Sequence, residues 1–162
     1  MQSLFSFAAG QRGLVTRQVS DMADLNAAVK DSSVNDILMS DGVYKLDDGQ
    51  YGLSIERALM IRAAPGATVV LDGGADPSGQ SGGAVMIIDV DDGAVALQGL
   101  EITNGAYFLG AAITSYGVAQ GLTITSCSIH DNIGVGTGSV GGIWNGPGER
   151  GTGDLTIIDS EI

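Results

Sequence analysis

Three stretches of the chain share one pattern of apolar and polar positions. Val95, Leu97, Leu100 and Ile102 repeat as Leu122, Ile124, Cys127 and Ile129, and again as Leu155, Ile157, Ser160 and Ile162. Places one and three alternate, as a strand with one face inward does. The two-residue skip before place six predicts a sharp bend, and places six and eight open a second strand facing the same interior. The stretches start at residues 95, 122 and 155, spacings of 27 and 33. Two short strands around a bend, repeated at that length, are the mark of a coil in a solenoid.

Upstream, residues 14–20 read as a first strand, and Asp21 to Lys30 as one amphipathic helix. Met22, Leu25, Ala28 and Val29 fall at helical spacing, Ser20 or Asp21 suits the start, and Lys30 suits the end. Asp36 to Leu46 reads as strand, Asp-Gly turn and strand. Leu59/Ile61 and Val69/Leu71 mark two more short strands around Ala64-Pro-Gly66, and residues 73–83 have loop composition. Each later coil opens with its own short strand, at Ala84–Ile88, Ala111–Ser115 and Gly142–Asn145, with Ile87, Ile113 and Ile143 taken as equivalents. Drift in coil length falls in corner loops, the largest being Gly134 to Gly153.

Composition agrees with tightly wound coils. Glycine is abundant (26 residues) while aromatics make up 5%; stacked corners need small residues with access to positive φ. The net charge of −12, with Lys30 and Lys45 as the only lysines, disfavours a nucleic-acid partner, because phosphate contacts need a basic face. No apolar run reaches membrane-spanning length. Residues 1–10 lack a basic start and make a poor signal peptide. Cys127, the single cysteine, sits at an inward place and reads as core packing.

The blocks Asp24 to Lys30, Asp41-Gly-Val-Tyr44, Leu59 to Arg62, Val70 to Gly73, Leu97 to Gly105 and Cys127 to Asn132 together resemble the right-handed parallel β-helix of the pectin-lyase-like superfamily. The likeness covers roughly residues 15–162. The first block also resembles the N-terminal cap of the chondroitinase-B and alginate-lyase-like branch, where a helix precedes an Asp-Gly-x-Tyr strand. The likeness implies an all-β solenoid with a short capping helix. It leaves activity open among lyases, hydrolases, epimerases and non-catalytic adhesins. Enzymes of that superfamily carry catalytic Lys/Arg or Asp pairs on middle coils, whereas this chain lacks a Lys or Arg on the outward places of its three template coils, so no catalytic residue transfers by motif.

The template itself nominates surface chemistry. Place seven faces solvent at Glu101, Ser128 and Glu161, and one step beyond the second strand Thr103 and His130 are neighbours. Stacking at about 4.8 Å per coil puts Glu101 and Glu161 about 10 Å apart, at the wide end for an inverting glycosidase. His130 lies diagonal to both as a base or ligand. The candidate catalytic set is therefore Glu101, His130 and Glu161, against the plainer reading of a solvated face. Tyr116 and Trp144, near the starts of successive coils, form a candidate sugar-stacking platform, with core packing as the rival. Asp89, Asp91 and Asp92 are a candidate Ca²⁺ cluster ahead of Gly93, although the distal Glu of the full loop pattern is missing, and a polar turn is the plainer reading. Asn104 and Asn132 follow the second strand as a turn or a stacked ladder.

The sequence thus predicts a tail over 1–13 and a right-handed parallel β-helix over 14–162, with a cap at 14–46 and coils from 53. The chain stops on Ile162 in mid-coil, so an incomplete last coil, and a fragment or N-terminal module, is expected. Its open end invites self-association or further coils. The functional expectation is an extracellular or cell-surface, polysaccharide-associated domain, the N-terminal portion of a lyase or hydrolase. The alternative is a non-catalytic adhesin or scaffold module, or an inactive fragment.

Overall fold

The structure, a computed structural model, describes residues 13–47, 51–75, 82–147 and 153–162. Its strands form three main sheets, all parallel. Sheet A holds β1 (Thr16–Val19), β2 (Asp36–Met39), β5 (Leu59–Ala63), β8 (Val95–Gln98), β12 (Leu122–Thr125) and β16 (Leu155–Ile158). Sheet B holds β3 (Gly42–Lys45), β6 (Val69–Asp72), β9 (Leu100–Thr103) and β13 (Ser128–His130). Sheet C holds β4 (Leu53–Ile55), β7 (Met86–Val90), β11 (Ile113–Val118) and β15 (Ile143–Asn145). From β2 onward the chain visits A, B and C in turn, and each strand pairs with the corresponding strand of the next circuit.

Parallel register stacks like on like. In sheet A, Ile37, Ile61, Leu97, Ile124 and Ile157 form one inward row. Tyr44, Leu71, Ile102 and Ile129 do the same in sheet B, and Leu53, Met86, Ile113 and Ile143 in sheet C. Most of these side chains are buried in one core, each contributing about 1.5–3 kcal/mol by leaving water. Ile157 belongs to the inward row but is 44% exposed, because no described circuit lies beyond it.

The bend at template place five is made the same way three times. Gly99, Ser126 and Asp159 all have left-handed backbones, with φ of 68°, 53° and 48°. That conformation turns the chain from sheet A toward sheet B within one residue, and only Gly adopts it without cost. The Asp41-Gly42 turn is also a corner: β2 and β3 lie in different sheets and do not pair.

The predicted helix forms as α1 (Met22–Lys30), with Asp21 as its cap accepting from the Asp24 N–H at 2.8 Å. Leu25, Ala28 and Val29 face the core. Arg57, on the corner between β4 and β5, ties the far end down. Its Nε donates to Val29 O at 3.1 Å and its Nη2 to Ala28 O at 3.1 Å, while Nη1 donates to Val34 O. On the outer face of sheet A the buried Asp36 accepts from Arg62 Nε and Nη2, each at 2.9 Å, and from Thr16 Oγ1 at 2.7 Å.

Three details differ from the sequence reading. Ile113 pairs with Met86, not Ile87, which pairs with Thr114. In the run Val85-Met86-Ile87-Ile88 every residue is apolar, so periodicity could not say which one faces in. The strand β4, with only Leu53 and Ile55 as apolar signal, is not among the strands that the sequence pattern predicts. Asn104 and Asn132 form no ladder, because Asn132 falls one residue out of step: Asp131, like Asn104, carries the positive φ (54° and 57°). Asn132 serves the turn instead, its Oδ1 accepting from Gly105 N–H at 2.8 Å. The tail over 1–12, most of the 73–83 loop (76–81) and part of the Gly134–Gly153 loop (148–152) lie outside the described residues.

Candidate functional site

Two surfaces emerge, one carboxylate-rich and one aromatic. On the outer face of sheet B, Val70, Glu101, Ser128 and Glu161 fall in one row, and Lys45, Asp72, Thr103 and His130 in the next. The expected adjacency of Glu101, His130 and Glu161 is therefore present in the register. His130 Nε2 lies 3.2 Å from Glu101 Oε1 on the preceding circuit, and Nδ1 lies 2.9 Å from Asp131 Oδ2. The Asp131 hydrogen bond, then the charges of Asp131 and Glu101, raise the His130 pKa above its ordinary 6.5, with slight desolvation opposing. Both ring nitrogens face carboxylates, which favours an imidazolium donating from each. A ring held this way has no free lone pair to take a proton from a substrate. Glu161 is exposed one circuit beyond Ser128.

Nearby, Asp72 Oδ1 accepts from Asn104 Nδ2 at 3.1 Å and from Gly74 N–H at 2.8 Å. Asp131 was not singled out from the sequence. Its signal was its place beside His130 at a corner, where a short polar side chain tolerates positive φ.

The aromatic surface lies around the loops that leave sheet B for sheet C. Two successive loops stack through β10 (Ala106–Tyr107) and β14 (Ile133–Gly134) and through a bridge from Gly110 to Val140. The rings of Tyr107 and Phe108 lie 4.4 Å apart, and those of Tyr116 and Trp144 lie 5.6 Å apart in an edge-to-face pair. The expected meeting of Tyr116 and Trp144 is thus observed, with both rings half-buried. Burial raises the Tyr107 pKa, reinforced by its hydrogen-bonding neighbour Tyr116 and by Tyr51. The backbone of Tyr51 packs against Gly83, whose carbonyl accepts from Ala106 N–H at 3.0 Å, so Tyr51 stands at the foot of the same stack. Five of the six described aromatics therefore gather here, all but the core residue Tyr44. Tyr51, Phe108, Ile133, Val135 and Val140 are exposed around them.

Gly105 and Gly110 make this flank possible. A Cβ on Gly105 would lie 2.0 Å from Ala111 O, and one on Gly110 would lie 2.1 Å from Ile113 O. Thr114 fastens the same loop from below, its Oγ1 donating to Gly110 O at 2.9 Å and accepting from Gly110 N–H at 3.0 Å. Tyr107 and Phe108 carry no signal in the sequence because their loop has no periodicity, and Tyr51 lies ahead of β4, a three-residue strand.

The acidic run Asp89, Asp91 and Asp92 lies exposed at the corner from β7 to β8. Asp92 Oδ1 accepts from Gln120 Nε2 at 3.4 Å on the next circuit, and Gly93 avoids Ala58, which a Cβ would meet at 2.5 Å. Among the described residues no three His, Cys, Asp or Glu side chains gather to hold a metal ion. Cys127 is buried, burial raises its thiol pKa, and Sγ contacts Thr125 O at 3.4 Å. No described helix is long and apolar enough to cross a membrane.

No protein-family model, no curated protein and no solved structure matches this chain.

Proposed function

We propose that the three parallel sheets wind as a right-handed parallel β-helix and that the protein is an extracellular, polysaccharide-associated module binding glycan on its aromatic flank. The observation that carries this reading is the gathering of Tyr51, Tyr107, Phe108, Tyr116 and Trp144 around two stacked loops. Flat rings stack on the C–H faces of sugars, and tyrosine hydroxyls supply the polar handle at their edges. Likeness of the sequence blocks to polysaccharide-acting β-helix proteins points the same way. Turnover by Glu101, His130 and Glu161 is left out of this reading, since His130 is engaged at both nitrogens.

Affinity electrophoresis in gels cast with soluble polysaccharides tests it. Retardation of the native chain should fall with Trp144→Ala by about tenfold or more, since truncating a central aromatic costs about 2 kcal/mol. Equal mobility of both proteins in every gel would end the proposal.

A second reading, a scaffold module that associates through β16, is favoured by the exposure of Ile157, Ile158 and Ile162. Light scattering would support it with a concentration-dependent oligomer that Ile157→Asp abolishes. A monomer at all concentrations would set it aside.

A further inference from the structure

The flank's surroundings choose among glycans. Among the described residues three of the five cations are spent inside the protein. Arg57 holds backbone carbonyls and Arg62 holds Asp36. Arg17 lies 3.9 Å from Asp24 and 4.0 Å from Asp31. Lys30 ends α1, which packs on β1, β2 and β4. That leaves Lys45, three circuits away from His130 in its row.

Anions, by contrast, border it. The stacked loops spring directly from β9 and β13, whose outer faces carry Glu101 and His130, and Asp131 sits two residues before Ile133 of β14. Asp72 and Glu161 extend the same two outward rows in both directions. His130 offsets only part of this charge, and the whole chain carries −12. Among the described residues, a polyuronate laid along the flank would meet Asp72, Glu101, Asp131 and Glu161, with Lys45 beside Asp72 as the one lysine or arginine in these rows. A chain of amino sugars would meet the complementary sign.

We propose that the flank is selective for cationic glycans, amino sugars with free ammonium groups, their rings on the aromatics and their ammonium groups toward Asp72 and Glu161, the carboxylates of these rows that His130 does not engage. This rests on the glycan-binding reading above, and it reverses the preference for acidic polymers that the likeness to uronate-acting lyases would suggest.

The test is isothermal titration of the full chain at mildly acidic pH with three probes: partly deacetylated chitosan oligomers, fully N-acetylated chitin oligomers of the same length, and oligogalacturonate. The chitosan oligomer should bind tightest, and should weaken by about tenfold as salt rises to about 1 M, where the screening length shrinks to about 3 Å. Glu161→Gln and Asp72→Asn, which leave the His130 contacts intact, should each reduce chitosan binding while leaving chitin binding unchanged. Equal affinity for both amino-sugar probes without salt dependence would overturn the charge selectivity and leave the glycan-binding reading standing. Preference for oligogalacturonate would overturn it likewise. Binding of no probe, with the Trp144→Ala protein indistinguishable from the native chain, would overturn both.

Discussion

His130 and Glu101 face one another across two successive circuits of the chain, imidazole Nε2 to carboxylate Oε1 at 3.2 Å. With Asp131 on the other ring nitrogen, the imidazole is clasped as a cation between two anions.

This clasp makes a pH prediction. The folded-state pKa of His130 is raised above its ordinary 6.5, first by Asp131 and then by Glu101. A raised histidine adds stability that is fully present below the unfolded pKa and is lost as pH rises through the folded one. His130 is the only histidine, so one imidazole proton resonance reports it. Its NMR titration midpoint should lie above 6.5 and drop on Asp131→Asn more than on Glu101→Gln. A midpoint at or below 6.5 would contradict the clasp.

The Asp36–Arg62 pair should behave as a buried one. Arg62→Met strands a carboxylate only 2% exposed, which costs about 3–5 kcal/mol. Thr16→Val removes one donor to Asp36 and costs about 1 kcal/mol. Burial alone would raise the Asp36 pKa, yet the bonds from Arg62 and Thr16 outweigh it and hold the pKa low. Its contribution is therefore present above the unfolded aspartate pKa and lost as pH falls through the folded value. Urea denaturation of the native and Arg62→Met chains, at neutral and acid pH, reads both effects; the difference between them should shrink in acid.

Arg57 should govern the helix locally. Arg57→Met orphans the carbonyls of Val29 and Val34, at about 1–3 kcal/mol for each one kept from water, and leaves Ala28 O with the Asp31 N–H as its donor. Hydrogen exchange should show α1 amides opening faster, while amides of β8 and β12 keep their protection. Uniform acceleration throughout would mean that the cap and the sheets open as one unit.

At the sheet A corners, glycine is the unstrained residue. Ser126→Gly should raise the melting temperature, with up to about 1 kcal/mol gained by relieving the left-handed backbone. Gly99→Ala should cost about 1 kcal/mol through strain alone, because its Cβ would meet Ala63 only at an ordinary 3.4 Å. Gly105→Ala should cost clearly more, since there the added carbon meets Ala111 O at 2.0 Å. A ranking that put Gly99→Ala above Gly105→Ala would overturn this account.

Legibility in the sequence followed from how each feature is encoded. The strand–bend–strand template was readable because inward Leu, Ile and Val recur at fixed places, and the register pairs Val95, Leu122 and Leu155 as that template aligns them. The helix was readable because Asp21, Leu25, Ala28 and Val29 obey a second period. Adjacency of Glu101, Ser128 and Glu161 followed from the same register. What stayed hidden depends on three-dimensional closure. Arg57 reaches carbonyls 23 to 29 residues upstream, and no local pattern announces such a bond. Tyr51 joins Tyr107 only because Gly83 lets the backbone between them approach. Asp131 was overlooked because a corner residue has no face until the corner is built.

The inward rows have one more consequence. Ile37, Ile61, Leu97, Ile124 and Ile157 each lean on the residue before and the residue after, so cohesion runs along a single line. In such a column, news of a disturbance fades with every step. A change in a loop of one circuit is therefore felt most by the circuits beside it and least by those several circuits away. The architecture insulates its own surfaces from one another, which lets one flank be specialised while the remainder stays indifferent.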